Sequence, residues 1–343
     1  MKGRAIVLDH LHGREAAALL VDGRLDDLLI DDDSAPRPGT VFRATCDRGL
    51  KGQGGMILRL PEGTAWLRNA TGLRAGQSML VQVTGVAEPG KAVPVTDRLL
   101  FKSRLCIVTP GAPGLNLSRQ VRDDHERART LAVAEDVMGP GGDLGVILRS
   151  SVARATDEEI ADDVKAMRDV AEKVLARAEG PPEMLAQGDG PHLLAWREWD
   201  APQVETKPGG LSRLHVLDEI DALRSPSVDL GEGSMSVEPT RALIAVDVNT
   251  GGDASPAAAL KANLAASRQL PRQLRLRGLG GQVAVDFANM PKGQRRQVEQ
   301  SLRDSFRHDP VETSLVGWTA LGLFELSRKR ERAPTARLLE PRR

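Results

Sequence analysis

Residues 242–287 read ALIAVDVNTGGDASPAAALKANLAASRQLPRQLRLRGLGGQVAVDF, and this stretch decides the fold class. The apolar runs at 242–249 and 282–287 are typical of buried strands, and the segment between them has the composition of a helix. Ser255 suits the N-cap of that helix and Pro256 its first turn. Strand, helix and strand in this order predict a βαβ unit whose parallel strands are covered on both faces.

Each apolar run carries an aspartate near its end, Asp247 in the first and Asp286 in the second. Ligands of open α/β sheets bind outside the carboxyl ends of the strands, and neighbouring strands lie about 4.8 Å apart, so these carboxylates can share one cation. Asn249 points to the same side if the first strand continues that far. Oxygen ligands without nearby His or Cys favour Mg²⁺. A structural interpretation, in which the aspartates cap helices or lie in turns, stays open at this point.

The rest of the chain divides into regions of different pattern. The first 33 residues contain strand-like runs around a turn at Asp22 and Gly23. Residues 40–99 contain five short strand-like runs separated by Gly, Pro and Asn, which predict a small closed barrel, with a fragment of a β-sandwich as the alternative. Residues 102–180 mix strands and helices, and Thr156 and Glu159 have the spacing of a capping box, which predicts a long amphipathic helix that ends near Gly180. Residues 180–210 are rich in Pro and Gly and predict a junction, with a short strand at residues 192–196.

The composition is that of a globular protein, with 41% hydrophobic and 27% charged residues in a chain of 343. No apolar run reaches the roughly 18 residues of a membrane span, and the N-terminus lacks the apolar core of a signal peptide, so we expect a cytoplasmic protein without membrane contact. Cys46 and Cys106 stand far apart, which indicates two buried side chains and neither a disulfide framework nor a zinc site.

The net charge of zero conceals an uneven distribution. Residues 8–34 carry eight acids and two bases, residues 261–307 carry ten bases and three acids, and the tail from Leu326 carries seven bases and two acids. A basic sector of this kind can supply a phosphate-binding face, and solvated helix faces are the alternative interpretation.

A set of short motifs resembles the catalytic segment of the ribonuclease E/G family over roughly residues 219–330. The motifs are DVN at 247–249, GGD at 251–253, RQLRLR at 272–277, LGG at 279–281, VDF at 285–287 and ELSR at 325–328. Upstream, residues 39–99 look like the OB-fold RNA-binding barrel of that family in a shortened form, and LGVILRSSV at 144–152 resembles its 5′-sensor pocket.

The resemblance implies a multidomain α/β protein with a βαβ-containing catalytic domain, an inserted OB-fold β-barrel and a small α+β 5′-sensor region. The expected regions are residues 1–38 as N-terminal strands of a ribonuclease H-like subdomain, 39–101 as the barrel, 102–180 as the 5′-sensor region, 181–218 as a junction and remainder of the ribonuclease H-like subdomain, and 219–343 as a DNase I-like catalytic subdomain with a basic tail.

The resemblance further implies a magnesium-dependent endoribonuclease that cleaves single-stranded RNA in RNA processing or decay, ribosomal RNA processing included. Asp247 and Asp286 would hold the Mg²⁺, for which Mn²⁺ can substitute, and Asn249 would form a hydrogen bond at the scissile phosphate. Arg149 and Ser150 match the pair that holds a 5′-monophosphate, which favours substrates with that end.

RNA contacts are expected on two further surfaces. Trp66 and Lys91 match the positions at which the barrel presents an aromatic ring and a base to RNA; without the resemblance, Trp66 reads as a barrel core residue. Charge clustering alone indicates that Lys292, Arg295 and Arg296 follow the RNA backbone.

The chain also departs from the family pattern. Thr250 leads directly to the Gly-Gly-Asp motif where a longer basic stretch is common, Asn289 replaces an acid, and Ala320 replaces an arginine. These changes motivate the main alternative, a catalytically weakened RNA-binding protein of the same fold. A small-molecule phosphohydrolase is a weaker alternative.

The expected partner of the chain is single-stranded RNA. Because the chain stops at Arg343 without a Cys-Pro-x-Cys motif, we expect neither zinc nor a zinc-linked dimer. A homo-oligomer of another kind is compatible with the sequence, and a C-terminal scaffold is not expected.

Overall fold

The computed structural model of the protein describes residues 3–50 and 54–340. Residues 1–2, 51–53 and 341–343 lie outside this description, and with them the last two arginines of the basic tail and small parts of three predicted regions. The strands are β1 Arg4–Leu11, β2 Arg14–Val21, β3 Arg24–Ile30, β4 Val41–Leu50, β5 Gly55–Arg59, β6 Thr64–Arg68, β7 Ser78–Val83, β8 Val93–Thr96, β9 Phe101–Lys102, β10 Cys106–Pro110, β11 Gly114–Leu117, β12 Leu144–Leu148, β13 Glu183–Ala186, β14 Gln203–Glu205, β15 Ser227–Asp229, β16 Ser234–Pro239, β17 Ile244–Asn249, β18 Gly281–Asp286, β19 Thr313–Trp318 and β20 Phe324–Arg328. The helices are α1 Asp124–Met138, α2 Asp157–Leu175, α3 Pro191–Glu198, α4 Gly210–Arg213, α5 Leu217–Ala222, α6 Pro256–Leu276, α7 Lys292–Phe306 and α8 Thr335–Leu338.

The chain forms two compact units. The barrel unit is the continuous stretch Asp33–Glu198. The discontinuous unit combines Met1–Asp32 with Trp199–Arg343.

The barrel unit contains a closed five-stranded barrel with the strand order β4-β5-β6-β8-β7, in which β7 pairs back onto β4. Strands β6 and β8 run parallel and the other barrel pairs are antiparallel, which is the OB-fold arrangement. Inward-facing side chains such as Leu58, Ala65 and Val81 fill the interior. The predicted inserted barrel is therefore confirmed, and the sandwich alternative is wrong.

A second sheet of the barrel unit has the order β11-β12-β10-β9, and helices α1 and α2 contact it. Helix α2 begins with the predicted capping box, in which Thr156 accepts from the Glu159 backbone and the Glu159 side chain accepts from the Thr156 backbone N–H. The predicted strand at residues 192–196 is wrong, because these residues belong to helix α3. Pro191 lies in the first turn of α3, where the backbone N–H has no helical hydrogen bond to lose. Leu193 and Trp196 are exposed and do not form the buried face that a strand would have.

The discontinuous unit contains the two remaining sheets, ordered β14-β1-β2-β3 and β15-β16-β17-β18-β20-β19. In the second sheet β17 and β18 run parallel, and α6 connects them. Ser255 caps α6 by accepting from the Ala258 N–H, and Pro256 occupies its first turn. The βαβ unit and both signals at the start of its helix are therefore confirmed.

Burial alternates along β17 and β18, so the prediction of a parallel pair covered on both faces is wrong. Val246 and Val285 lie in a core to which α6 and α7 contribute, whereas Asp247 and Asp286 lie on the opposite, exposed face. The sequence looked continuously apolar because the small Ala245 occupies one of the outward positions. We call the outward side of this sheet the open face.

A buried ion network joins distant parts of the discontinuous unit. The Asp27 carboxylate on β3 pairs with Arg275 on α6 at 3.4 Å and with Arg332 at 2.5 Å. Asp309 pairs with Arg275 at 2.7 Å and with Arg328 at 2.9 Å. Part of the basic sector therefore lies inside the protein and neutralises acids of the N-terminal stretch.

Both cysteines are fully buried, as expected, and burial raises the pKa of the Cys106 thiol to about 12. Over the described ranges, no helix combines the length and the apolar character that crossing a membrane requires.

The ion network predicts a specific dependence of stability on Asp27. We expect Asp27→Asn to lower the free energy of unfolding at pH 7 by about 3 kcal/mol, because it leaves buried guanidinium groups short of counter-charge. Asp26→Asn is the matched control: Asp26 is a more exposed partner of Arg275, so its loss should cost less than about 1 kcal/mol. Urea unfolding measures both effects.

The same variant predicts a pH dependence. Burial alone raises the pKa of Asp27, but the charges of Arg332 and Arg275 and hydrogen bonds lower it below its ordinary value of 3.8. The carboxylate therefore stabilises the fold at pH values above 3.8, and this contribution is lost as the pH falls through the lowered value. The difference in free energy of unfolding between wild type and Asp27→Asn should therefore become smaller in that pH range. A difference that does not change with pH would contradict the stabilising role of the Asp27 carboxylate.

Candidate active site

Asp247 and Asp286 are direct neighbours on the parallel strands β17 and β18, where their Cα atoms are register partners. Residues paired in this way project to the same side of a sheet, and both aspartates are exposed on the open face. Because adjacent strands lie about 4.8 Å apart, one cation can reach both carboxylates. The structure therefore brings together the two aspartates that the sequence indicated.

Asn249 lies on the same face, since β17 continues to this residue. Its Nδ2 atom donates a hydrogen bond of 2.5 Å to Oδ2 of Asp247 and so orients that carboxylate. Gly233 lies against the end of β17, where a Cβ atom would collide with the Asn249 carbonyl oxygen. Glycine at this position lets the turn between β15 and β16 approach the site.

The neighbouring strands add further polar groups to the open face. On β16, Ser236 is paired with Asp247 and Ser234 with Asn249. Glu238 and Glu325 follow on the next row, opposite Ala245 and Ala284 respectively. The open face is thus acidic around the aspartate pair, which attracts cations.

The donor set fits magnesium. Asp247, Asn249 and Asp286 offer only oxygen atoms as ligands, and Mg²⁺ usually takes one or two carboxylates and keeps several waters. Within residues 3–50 and 54–340, no group of three or more His, Cys, Asp or Glu side chains is arranged to hold a metal ion.

Asn263 is a positioning residue that sequence reasoning missed. It is fully buried on α6, its Nδ2 donates to the Ala288 carbonyl and its Oδ1 accepts from the Ala288 N–H, both at 2.9 Å. These two hydrogen bonds fix the loop that follows Asp286. A lone amide on the apolar face of a predicted amphipathic helix was the available signal, because buried polar groups require partners.

The basic residues of α7 fall into two groups. Arg303 and Arg307 are paired with Glu299 and Asp304 on the same helix surface. The second group lies in the first turns of α7 and contains the three predicted RNA-binding cations Lys292, Arg295 and Arg296. These three make no ion pair within the described part of the chain. Because α7 follows β18, these three lie toward the sheet end at which Asp286 stands.

Arg295 contacts an aromatic ring. Its guanidinium lies 4.7 Å from the centroid of the Trp318 ring, next to Gly322 in the turn between β19 and β20. Phe287, the residue after Asp286, contacts the same ring with centroids 5.7 Å apart. Through Trp318 and Phe287, the Arg295 guanidinium is therefore connected to the end of β18. Ala320, in the turn between β19 and β20, carries no charge.

Trp66 lies outside the barrel core, so its interpretation as a core residue is wrong. Its neighbours Ala65 and Leu67 point inward, while Trp66 is half-buried and covers Gly55, at which a Cβ atom would collide with the ring. Lys91 is exposed in the loop between β7 and β8 and pairs with Glu88 at 2.5 Å.

Arg149 and Ser150 are adjacent at the end of β12, where a short 3₁₀ turn Ser150–Arg154 begins. Ser150 is exposed, and its hydroxyl makes no hydrogen bond within the described residues. Arg149 has a protein partner, because its Nη2 atom pairs with Glu198 at 2.5 Å. The two residues of the predicted 5′-phosphate pair are thus adjacent, and the arginine already contacts a carboxylate.

Comparison with known proteins agrees with this architecture. The sequence profile of the Ribonuclease E/G family matches residues 101–206 and 201–331. Ribonuclease G of Escherichia coli (strain K12) is 29% identical over 301 residues, which cover 76% of this chain and 61% of that protein. Ribonuclease E of Nostoc sp. (strain PCC 7120) is 27% identical over 299 residues, which cover 74% of this chain and 43% of that protein.

The chain thus spans about three fifths of ribonuclease G and less than half of that ribonuclease E. The profile match nevertheless extends over most of the sequence, including the strands that carry Asp247 and Asp286. With the closed barrel and the paired aspartates in place, this match shows that the chain belongs to the ribonuclease E/G family.

Proposed function

We propose that this protein is a magnesium-dependent endoribonuclease that cleaves single-stranded RNA and prefers substrates with a 5′-monophosphate. The observation that carries the proposal is the register of β17 and β18, which sets Asp247 beside Asp286 on an exposed face. RNA processing or decay is the corresponding role, by analogy with relatives named ribonuclease G and ribonuclease E.

In this proposal Asp247, Asp286 and Asn249 on the open face act together at the scissile phosphate. Asp247 and Asp286 hold Mg²⁺, or Mn²⁺ in its place. When bound, the ion supplies positive charge at the scissile phosphate and favours in-line attack by water. Asn249 orients the Asp247 carboxylate with one amide hydrogen and has a second one to donate to a phosphate oxygen. Cleavage then leaves a 5′-phosphate on the downstream product.

RNA contacts away from the reacting phosphate are assigned to exposed groups. Trp66 on the outside of the barrel offers a ring for base stacking, which tolerates any sequence, and Lys91 adds a charge nearby. Lys292, Arg295 and Arg296 contact backbone phosphates. Arg149 and Ser150 bind the 5′-monophosphate through a guanidinium and a hydroxyl. The five regions expected from the sequence are kept as the subdomain division of this proposal.

The aspartate pair makes the first prediction of this proposal. We expect Asp247→Asn and Asp286→Asn each to reduce Mg²⁺-dependent cleavage by about a hundredfold or more, because each removes a charged ligand. The assay follows a fluorescent, 5′-monophosphorylated, A/U-rich single-stranded oligonucleotide on a gel. Asp304→Asn, an exposed acid on α7, is the matched control and should cleave like wild type.

The same assay separates the enzyme from its main alternative. The replacement by Ala320 and the short connection from Thr250 to the Gly-Gly-Asp motif favour a catalytically weakened RNA-binding protein. Wild-type protein that binds the oligonucleotide and leaves it intact with Mg²⁺ or Mn²⁺ would establish that alternative and overturn the endoribonuclease.

The stacked arginine makes a further prediction. We expect Arg295→Ala to weaken RNA binding and to flatten the slope of log affinity against log salt by about 0.7, the contribution of one phosphate contact to single-strand binding. Arg303→Ala is the matched control, because the Arg303 guanidinium is already paired with Glu299 at 2.5 Å. Fluorescence anisotropy over a series of salt concentrations measures both slopes, and equal slopes for the two variants would remove Arg295 from the RNA contacts.

A further inference from the structure

The carboxylate of Glu198 bridges two guanidinium groups at the predicted 5′-phosphate pair. Its Oε2 atom lies 2.5 Å from Nη2 of Arg149, and its Oε1 atom accepts from Nε of Arg197 at 2.7 Å. An anion whose oxygens are shared between two arginines is held as a phosphate is held, through charge-assisted hydrogen bonds. Glu198 therefore resembles a bound phosphate group at this position.

Arg149 does not depend on Glu198 for its orientation. Its Nη1 atom donates to the carbonyl oxygen of Ser103 at 2.8 Å and to that of Arg197 at 3.3 Å. These bonds leave Nη2 as the atom that faces the carboxylate. If Glu198 moves away, Arg149 keeps its place and presents Nη2. The hydroxyl of Ser150, which has no hydrogen-bond partner among the residues that the structure describes, is next along the chain.

The helix that carries Glu198 is also anchored by other contacts. Arg104 stacks on Trp196 at 4.5 Å from the ring centroid, and Arg197 pairs with Asp189. The Glu198 side chain is the last of α3 and is 40% exposed, so it can turn toward solvent while the helix stays in place. Burial alone raises the pKa of Glu198, but Arg197 and Arg149 lower it below its ordinary value, so the group is an anion at neutral pH.

We propose that Glu198 is a specificity-determining residue, whose carboxylate occupies the place on Arg149 that the 5′-phosphate of an RNA takes. Recognition of the 5′ end is then a competition between an internal carboxylate and the phosphate, and the preference for 5′-monophosphate is weaker than Arg149 and Ser150 alone would give. This inference rests on the proposed 5′-phosphate site. The phosphate can displace Glu198 because it brings a larger negative charge and three acceptor oxygens.

The test measures binding, so that it does not depend on catalysis. Asp247→Asn protein with and without Glu198→Gln is titrated with two oligonucleotides that differ only in a 5′-phosphate or a 5′-hydroxyl. We expect Glu198→Gln to raise the ratio of the two affinities by about fivefold, because it removes a partly exposed ion pair that the phosphate must break. Glu198→Ala should raise the ratio in the same direction.

Two controls make the outcome specific. Glu172→Gln removes another exposed carboxylate that pairs with an arginine of the same unit, Arg168, and should leave the ratio as it is. Arg149→Ala combined with Glu198→Gln should abolish the gain. An unchanged ratio in both Glu198 variants, in protein that prefers the 5′-phosphate through Arg149, would show that Glu198 only braces α3 and would overturn the inference.

Different results would contradict the proposed function. Absence of Mg²⁺-dependent cleavage by wild-type protein, together with a raised binding ratio in Glu198→Gln, would overturn the endoribonuclease and support the competition at Arg149. A ratio of one in every variant, including Glu198→Gln, would overturn both the 5′-phosphate site and the inference built on it, even where cleavage is normal.

Discussion

The in-register parallel pairing of β17 with β18 is the constraint on which the candidate site depends. Parallel strands need a crossover, and α6 supplies it, covering one face and leaving the other open for Asp247 and Asp286. A slip of the pairing by one residue would turn one aspartate into the core. The contacts of Asn263 with the loop after β18 support the same register from the covered side. Chemistry on the open face thus follows from packing on the covered face.

Local signals predicted elements in both units. Ser255 and Pro256 mark the start of α6, and Thr156 and Glu159 form the capping box of α2, because helix ends satisfy their N–H groups with nearby residues. The barrel strands were recognisable because turns punctuate them at short intervals. The pairing of Asp247 with Asp286 was predictable as well, since the strand ends of a βαβ unit meet at one edge of the sheet.

Features that depend on distant residues were not predictable. Arg275 looked like part of a phosphate-binding surface, yet it is buried against Asp26 and Asp27, some 249 positions away. Glu198 carried no signal that it would pair with Arg149, because the two are 49 positions apart and no local rule relates them. The open face was not predictable for a different reason, because alanine occurs in cores and on surfaces alike. With Ala245 at an outward position, the sequence of β17 lacks the apolar–polar alternation that marks a strand covered on one face only.

The order of the segments of the discontinuous unit along the chain affects the order of folding during synthesis. Strands β1–β3 leave the ribosome before the barrel unit, but the residues that cover them, among them Leu211, Leu276 and Leu339, and their ionic partner Arg332 are translated after it. The barrel unit is continuous in sequence and is translated completely before α6. It can therefore complete its fold on the nascent chain, while strands β1–β3 keep an uncovered apolar side until these later residues emerge.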